Sequence, residues 1–359
     1  MADKRSKPAT LADIAQLTGT NVSTVSRVLN DTRNFSASED CRERILKTAR
    51  ELNYQPRNAA RSLATGKSYC IGIILCNVEE DFTSPYFAPV LISLVKELEA
   101  CGYSSLLMTV PYDDSIDTHV CNKVRSGGVD GFYIGSGLIG TQSLVELEKH
   151  HIPVVTTEHS NPTPLREASV CVVSEDCEDA YAAMAAELRS LGHRRVACFA
   201  KGQILDLRLR VDSLRKALSE AGIETTDEDE FFYPPEFVHS MHDRFEARRA
   251  AAARLDWFRN YSAVVCASDM TAFGLMEVLQ DAGMQPGRDI SVAGYNNLEY
   301  SPYYRKPEPF LTTIDPRKPE KGRMIARLLL ELIDQPGKKI PSQQIDARFI
   351  LRRSFAAAN

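Results

Sequence analysis

The sequence predicts an α/β protein in which a small helical unit precedes a two-lobed body of doubly wound parallel sheet. Three observations carry that prediction. From Lys67 onward, short β-rich runs alternate with helical stretches at regular spacing, the pattern of successive βαβ units. Ahead of Lys67 lie three short runs with helical periodicity. The charge is also divided. Residues 1–69 hold 12 Lys and Arg against 7 Asp and Glu, a net +5, whereas the remaining 290 residues carry −10. The bulk value of −5 over 359 residues argues against a nucleic-acid-coated protein, but the division suggests a basic head on an acidic body.

Composition sets further bounds. With 43% hydrophobic and 25% charged residues the chain can bury a sizeable core, which excludes wholesale disorder. No run of eighteen apolar residues occurs, so no membrane partner is expected. The opening MADKRSKPATLADIAQ has basic residues but no apolar stretch behind them, so the expected location is the cytoplasm. Nine scattered cysteines, an odd number without a C-x-x-C pair, fit reduced thiols better than disulfides or a zinc site. The seven histidines never fall at ligand spacing with Cys or carboxylates, so no metal is expected.

Residues 10–30, TLADIAQLTGTNVSTVSRVLN, carry the most specific local signal. Thr10 and Asp13 have the form of a helix cap, Leu11, Ile14, Ala15 and Leu17 lie on helical spacing, and Gly19 ends the run. A second helix starts at the cap Asn21, with Val22, Val25, Val28 and Leu29 as its apolar stripe and Ser23, Thr24, Arg27 and Asn30 pointing away. Helix, Gly-containing turn, helix is the helix-turn-helix unit, whose second helix enters the DNA major groove. Small hydrogen-bonding residues and one Arg suit base edges and phosphates. A third helix over 38–52 packs through Ile45, Ala49 and Leu52, completing a three-helix unit.

In the body, strands are expected at 70–76, 104–109, 129–134, 152–157, 169–173, 195–199, 262–267 and 290–295. Helices are expected at 86–101, 116–126, 141–150, 176–191, 207–221, 240–256 and 270–282, with Gly102, Gly192, Gly222 and Gly283 just past four of them. Eight strands could form one large sheet or two smaller ones. The polar, Pro-containing segment 158–168 reads as a connection between lobes, and the proline-rich 299–320 as a second crossing. A helix at 319–333 and a strand near 343–351 close the chain. The expected first lobe is about 69–168 plus 313–332, and the second about 169–312 plus 333–355. Repeated crossing builds a hinge, as in two-lobed proteins that close on a ligand.

Ligands of parallel α/β sheets sit beyond the carboxyl ends of the strands. There the sequence places Ser84, Tyr86 and Phe87, then Glu158, Arg210, Ser268 with Asp269, and Asn296. Amides, carboxylates, a guanidinium and aromatic rings suit a polyhydroxylated ligand such as a sugar. An enzyme reading has less to stand on. Gly135, Gly137 and Gly140 form a literal G-x-G-x-x-G with Glu158 further on, but helical periodicity begins only at Thr141, after the last glycine. A dinucleotide site needs the helix to begin within the glycines, so a glycine-rich turn is the reading and no cofactor is expected. No Ser-His-Asp order, nucleophile elbow, Walker A or H-E-x-x-H is present. The acidic pairs Asp113-Asp114 and Glu79-Glu80-Asp81 read as solvated loops, so no catalytic residue is expected. A periplasmic-type solute receptor fits neither the missing signal peptide nor residues 10–30.

The run T-x-x-D-I-A-x-x-x-G-x-x-x-S-T-V-S-R-V-L-N resembles the head-piece of the LacI/GalR family of bacterial transcription regulators. ELNYQPRNAARSLATGKS at 51–68 resembles that family's third helix end and hinge helix. VDGFYI, IPVVTTE, LGHRRVACFA, ASDMTAFGLMEVL, PGRDISVAGYNN and PFLTTID follow in family order. The resemblance implies a helix-turn-helix head-piece over 1–56, a hinge helix and linker over 57–68, and an effector-binding, dimerising body of periplasmic-binding-protein type over 69–359. It implies that Val22 and Ser23 open the recognition helix. Thr10, Thr24, Ser26, Arg27, Asn30, Tyr54 and Arg57 would lie at DNA-contacting places, with Ala60 and Leu63 on the hinge helix in the minor groove. The cleft residues above would contribute to the effector pocket. The implied partners are a near-palindromic double-stranded operator, a small carbohydrate-like effector and a second copy of the chain in a homodimer. Asn21 departs from the family's usual Ser, Asn296 from its usual Asp, and the loop after the second helix is longer than in the lactose repressor. The tail ILRRSFAAAN has no leucine heptad for a tetramerising coiled coil.

Overall fold

A computed structural model describes residues 9–29, 35, 37–52, 54, 65–75, 84–110, 116–125, 128–135, 143, 147, 149–157, 170–202, 205–234, 243–300 and 305–358. They fall into two compact units, Met1–Tyr69 and Cys70–Asn359. The head holds α1 (Leu11–Thr18), α2 (Val22–Leu29) and α3 (Glu39–Glu51). A reciprocal capping box between Thr10 and Asp13 starts α1, and left-handed Gly19 ends it with φ 66°. Ile14, Ala15, Val25, Val28, Ile45 and Ala49 form the core of this unit. Leu17 and Val22, both expected on apolar stripes, are instead 65% and 46% exposed. A helix of two turns shows the core only one narrow face. In α1 the inner place after Ile14 goes to Thr18, whose hydroxyl donates to the Ile14 carbonyl at 2.7 Å.

The body consists of two six-stranded sheets. The first is built from β1 (Cys70–Leu75), β2 (Ser104–Thr109), β3 (Gly131–Ile134), β4 (Val154–Thr157), β5 (Val170–Asp176) and β11 (Gln343–Asp346), in the order β2-β1-β3-β4-β5-β11. The second contains β6 (Val196–Lys201), β7 (Glu230–Tyr233), β8 (Ala263–Cys266), β9 (Ser291–Tyr295), β10 (Thr312–Asp315) and β12 (Arg348–Ile350), in the order β7-β6-β8-β9-β10-β12. Every described pairing is parallel except β10 with β12. Each lobe therefore repeats one doubly wound order, with its topological switch beside the lobe's first strand, β1 or β6.

The helices of the body are α4 (Phe87–Ala100), α5 (Ile116–Arg125), α6 (Glu178–Ser190), α7 (Leu205–Glu220), α8 (Asp243–Ala253), the short α9 (Leu255–Phe258), α10 (Asp269–Asp281) and α11 (Lys318–Asp334). In the second lobe α6 and α7 cover one face of the sheet, and α8 and α10 the other. Two glycines permit the closest helix contacts. A Cβ on Gly322 of α11 would strike the Val90 carbonyl of α4, and one on Gly274 of α10 would strike the Arg244 carbonyl of α8.

The lobe boundaries differ from those expected. Strand β5 belongs to the first sheet, so the first lobe runs to about Asp176 rather than 168. The single strand expected near 343–351 is two, because Ala347, whose N–H donates to the Asp176 carbonyl at 2.7 Å, lies between β11 in the first sheet and β12 in the second. Of 313–332, only α11 packs on the first lobe, against α4 and strands β3 to β5; β10 lies in the second sheet. The chain thus crosses after β5, after β10 and between β11 and β12. Strands β7 and β10 were not expected. Both are four residues long, and each adjoins Pro-containing sequence that reads as loop. The segment 240–256 is broken at Arg254 into α8 and α9. The helix expected at 141–150 and the connection 158–168 lie largely or wholly outside the described residues.

Candidate nucleic-acid interface and interlobe cleft

On the head, α2 turns Val25 and Val28 inward and leaves Val22, Ser23 and Arg27 exposed, with Thr24 and Ser26 half-buried. The outer face is therefore small, polar and basic. The Arg27 guanidinium lies over the Phe35 ring at 5.3 Å, which positions it without neutralising it. Thr10 is exposed, but its hydroxyl is engaged with Asp13 at 2.8 Å as the cap of α1. The hydrogen bonds from Thr10 hold the Asp13 carboxyl below its ordinary value. Tyr54 is half-buried against the head core, and its N–H donates to the Ala49 carbonyl at 2.9 Å. Asn30, Arg57, Ala60 and Leu63 lie outside the described residues, as does Glu158 of the body.

The cleft residues of the body divide into two groups. Ser84 caps the approach to α4, its Oγ accepting from the N–H groups of Tyr86 and Phe87 at 3.3 Å each. The Tyr86 and Phe87 rings meet edge to face at 5.1 Å. Across the cleft Arg210 donates to the Ala267 carbonyl at 3.2 Å, and its guanidinium lies 3.9 Å from the centroid of the Tyr295 ring. These side chains form one constellation with Glu175, Tyr295 and Lys321, which sequence reasoning missed. The Glu175 carboxylate accepts from Tyr86 Oη at 2.7 Å, Tyr295 Oη at 2.6 Å and Lys321 Nζ at 3.1 Å. A signal existed for two of them, since Glu175 and Tyr295 stand at the carboxyl ends of their strands.

Ser268 and Asp269 form the second group, and their polar atoms are used inside the lobe. Ser268 caps α10, accepting from Thr271 N–H at 3.1 Å. Asp269 is 1% exposed and accepts from Leu298 N–H at 2.6 Å and the Thr313 hydroxyl at 2.7 Å. Burial pushes its carboxyl up to about 6, against the lowering effect of those two hydrogen bonds and of Lys318. Burial likewise lowers the Lys318 ammonium, although Asp269, Asp315 and Glu175 oppose the shift. Lys318 Nζ donates to the Asn296 carbonyl. Asn296 is held at φ 112°, and its buried Oδ1 has no hydrogen-bond partner. A strained backbone with an unsatisfied buried acceptor is characteristic of ligand-binding positions.

One Ser–His arrangement does occur. His193 Nδ1 lies 2.8 Å from Ser262 Oγ, and its Nε2 lies 3.0 Å from both Ser291 Oγ and the Ala356 carbonyl. It sits at the amino ends of β8 and β9 beneath the C-terminal tail, the opposite edge from the cleft, and its role is to pin that tail. Gly137 and Gly140 of the dinucleotide-like motif lie outside the described residues. Among the described residues no group of His, Cys, Asp and Glu gathers as a metal site, and no helix is long and apolar enough to cross a membrane.

A helix-turn-helix head with an outward polar helix, joined to a two-lobed α/β body, defines a DNA-binding regulator with a ligand-binding domain. Known proteins agree. Residues 10–57 match the bacterial regulatory proteins of the lacI family, and residues 185–355 match the periplasmic binding protein-like domain. The HTH-type transcriptional repressor PurR of Glaesserella parasuis serovar 5 is 28% identical, with 95% of each chain covered. PurR of Photobacterium profundum is 25% identical, over 98% of this chain and 100% of the relative. The fold matches a lac repressor dimer bound to operator and the anti-inducer ONPF with TM-score 0.75 at 24% identity, covering 98% of this chain and 100% of that one. A ribose-bound lacI-family regulator from Enterococcus faecium gives TM-score 0.66 at 24% identity, covering 81% of this chain and 100% of that one. The chain thus joins a lacI-family DNA-binding domain to a periplasmic binding protein-like domain, the make-up of a regulator rather than an enzyme.

Proposed function

We propose that the chain is a cytoplasmic, homodimeric repressor that binds a near-palindromic operator and is controlled by a small carbohydrate-like effector in the interlobe cleft. The observation that carries the DNA reading is α2, whose exposed Val22, Ser23 and Arg27 form one accessible face on a head with a net charge of +5. Such a face offers apolar contact, hydrogen bonding and phosphate neutralisation together. In this reading Thr10, Thr24, Ser26, Asn30, Tyr54 and Arg57 support the contact, and Ala60 and Leu63 enter the minor groove from a hinge helix at the operator centre. The acidic body limits indiscriminate binding, so salt-dependent affinity comes from the head.

The effector reading rests on Ser84, Tyr86, Phe87, Arg210 and the unsatisfied Asn296 amide, with Glu158 as a further contact. Aromatic faces and forked donors suit ring stacking and bidentate hydrogen bonds to hydroxyls. An amide at Asn296 both donates and accepts, which selects a ligand different from one built to meet a carboxylate. Ser268 and Asp269 shape this wall of the cleft through the contacts described above. The homodimer is supported by apolar side chains left exposed on the first lobe, Ile92 and Val95 on α4 and Leu106 and Leu107 on the edge strand β2.

Selection from a random double-stranded DNA pool with the purified full chain tests the DNA reading. A near-palindrome is expected to be enriched, and Ser23→Ala and Arg27→Ala are each expected to weaken binding to it. An unstructured pool after repeated rounds would sink the proposal.

A further inference from the structure

We propose that the Glu175 carboxylate straps the two lobes together, one oxygen serving each lobe. Glu175 is the penultimate residue of β5, inside the first sheet and just before the chain first crosses to the second. Its Oε1 accepts from Tyr86 Oη at 2.7 Å and from Lys321 Nζ at 3.1 Å. Lys321 also donates to Tyr86 Oη at 2.9 Å, closing a triangle. Both donors belong to the first lobe, Tyr86 at the start of α4 and Lys321 on α11, two helices packed along each other. Oε2 faces the other way. It accepts from Tyr295 Oη at 2.6 Å and lies 3.8 Å from Arg210 Nη2. Tyr295 ends β9 of the second sheet and Arg210 lies on α7, which packs on that sheet.

The physical setting makes the strap costly to release. The side chains of Lys321, Glu175 and Arg210 are 0%, 7% and 12% exposed. Separating either lobe from this carboxylate would leave a charge in a poorly hydrated place without its full set of partners. The three backbone crossings can bend, whereas the strap fixes one setting of the lobes beside them. Arg210 stacks on Tyr295 and also faces Glu175, so any group that draws Arg210 away loosens the second-lobe end of the strap. Glu175 is thus a positioning residue that acts through Arg210 and Tyr295. This inference concerns lobe setting alone and stands apart from the identity of the effector or the operator.

The test uses the full chain with dyes on noncanonical residues at exposed Lys149 of the first lobe and Glu220 of the second, read by single-molecule energy transfer. Wild type is expected to give one narrow distance distribution. Glu175→Gln and Tyr295→Phe are each expected to shift molecules into a second, broader population. Combining Tyr86→Phe with Tyr295→Phe is expected to add little to Tyr295→Phe alone, since a strap is broken by releasing either end. If Glu175→Gln fails to fold, Tyr295→Phe, which removes one hydroxyl and keeps the ring beneath Arg210, decides the matter by the same reading. A distribution unchanged from wild type in the variants, even with a lowered melting temperature, would mean that Glu175 only packs its own lobe and would overturn the proposal.

Discussion

The two lobes share one strand order and differ at their outer edges. In the second lobe the edge strand β7 is covered by its own chain. Phe231 stacks on Phe199 at 5.2 Å and lies beneath Arg254 at 4.8 Å, while Arg208 lies over Phe232 at 4.5 Å. In the first lobe the edge strand β2 has no comparable cover among the described residues, and Leu106 and Leu107 are 45% and 42% exposed. Ile92 and Val95 of α4, in the same lobe, are exposed as well. An exposed edge with apolar side chains is a liability unless something pairs with it. The difference shows that topology alone does not complete a lobe, and under the proposed homodimer the first lobe is the one that a second copy of the chain would cover.

That comparison can be broken most forcefully at Leu107. Leu107→Lys is expected to leave the chain monomeric by sedimentation, and loss of the second half-site contact should weaken operator binding at least about 100-fold. Arg208→Ala, at the covered edge, should leave assembly unchanged; equal behaviour of the two variants would remove the contrast. The glycine contacts test what the lobes have in common. Gly322→Ala and Gly274→Ala should each destabilise the fold by about 1–3 kcal/mol in chemical denaturation, since each Cβ meets backbone that has no room to yield.

Arg210→Ala sharpens the comparison at the cleft. It is expected to abolish the response to effector while leaving operator affinity intact, a loss of coupling of about 1–3 kcal/mol. Unchanged effector binding by calorimetry in this variant would place the pocket elsewhere. The smallest effect belongs to Asp269. Its folded-state value of about 6 lies above the ordinary 3.8, so the native state binds the proton more tightly than the unfolded chain. The penalty for its buried charge is fully present above the folded value and is relieved as pH falls from about 6 toward 4. The stability of wild type relative to Asp269→Asn should therefore rise on acidification across that window. A difference independent of pH would show that the Asp269 carboxyl is not raised.

Much of this architecture was legible in the sequence, because strands buried on both faces read as continuous apolar runs and amphipathic helices keep their period. The caps at Thr10, Gly19, Gly102, Gly192, Gly222 and Gly283 were legible for the same local reason, and each of these glycines adopts positive φ. What was lost depends on distance along the chain. Glu175 and Lys321 stand 146 positions apart, and Lys321 reads as the polar side of a helix until its buried carboxylate partner is known. Strand β10 was hidden between prolines, and the split of 343–351 into two sheets rests on one buried alanine. Leu17 and Val22 show the converse error, since spacing marks a stripe but cannot tell how wide a face a two-turn helix buries. Asp269 was placed correctly at a strand end, but its use inside the lobe depends on Thr313 and Leu298, which no local pattern links to it.

The central claim is that a ligand in the body controls the head's hold on DNA. Its most direct measurement is operator affinity of the full chain, on the DNA enriched by selection, with and without a sugar that stabilises the body in a thermal-shift screen. The account predicts that such a sugar changes operator affinity by about 5-fold or more in wild type and not at all in Arg210→Ala. A sugar that binds the body at saturation and leaves operator affinity unchanged in wild type would contradict it.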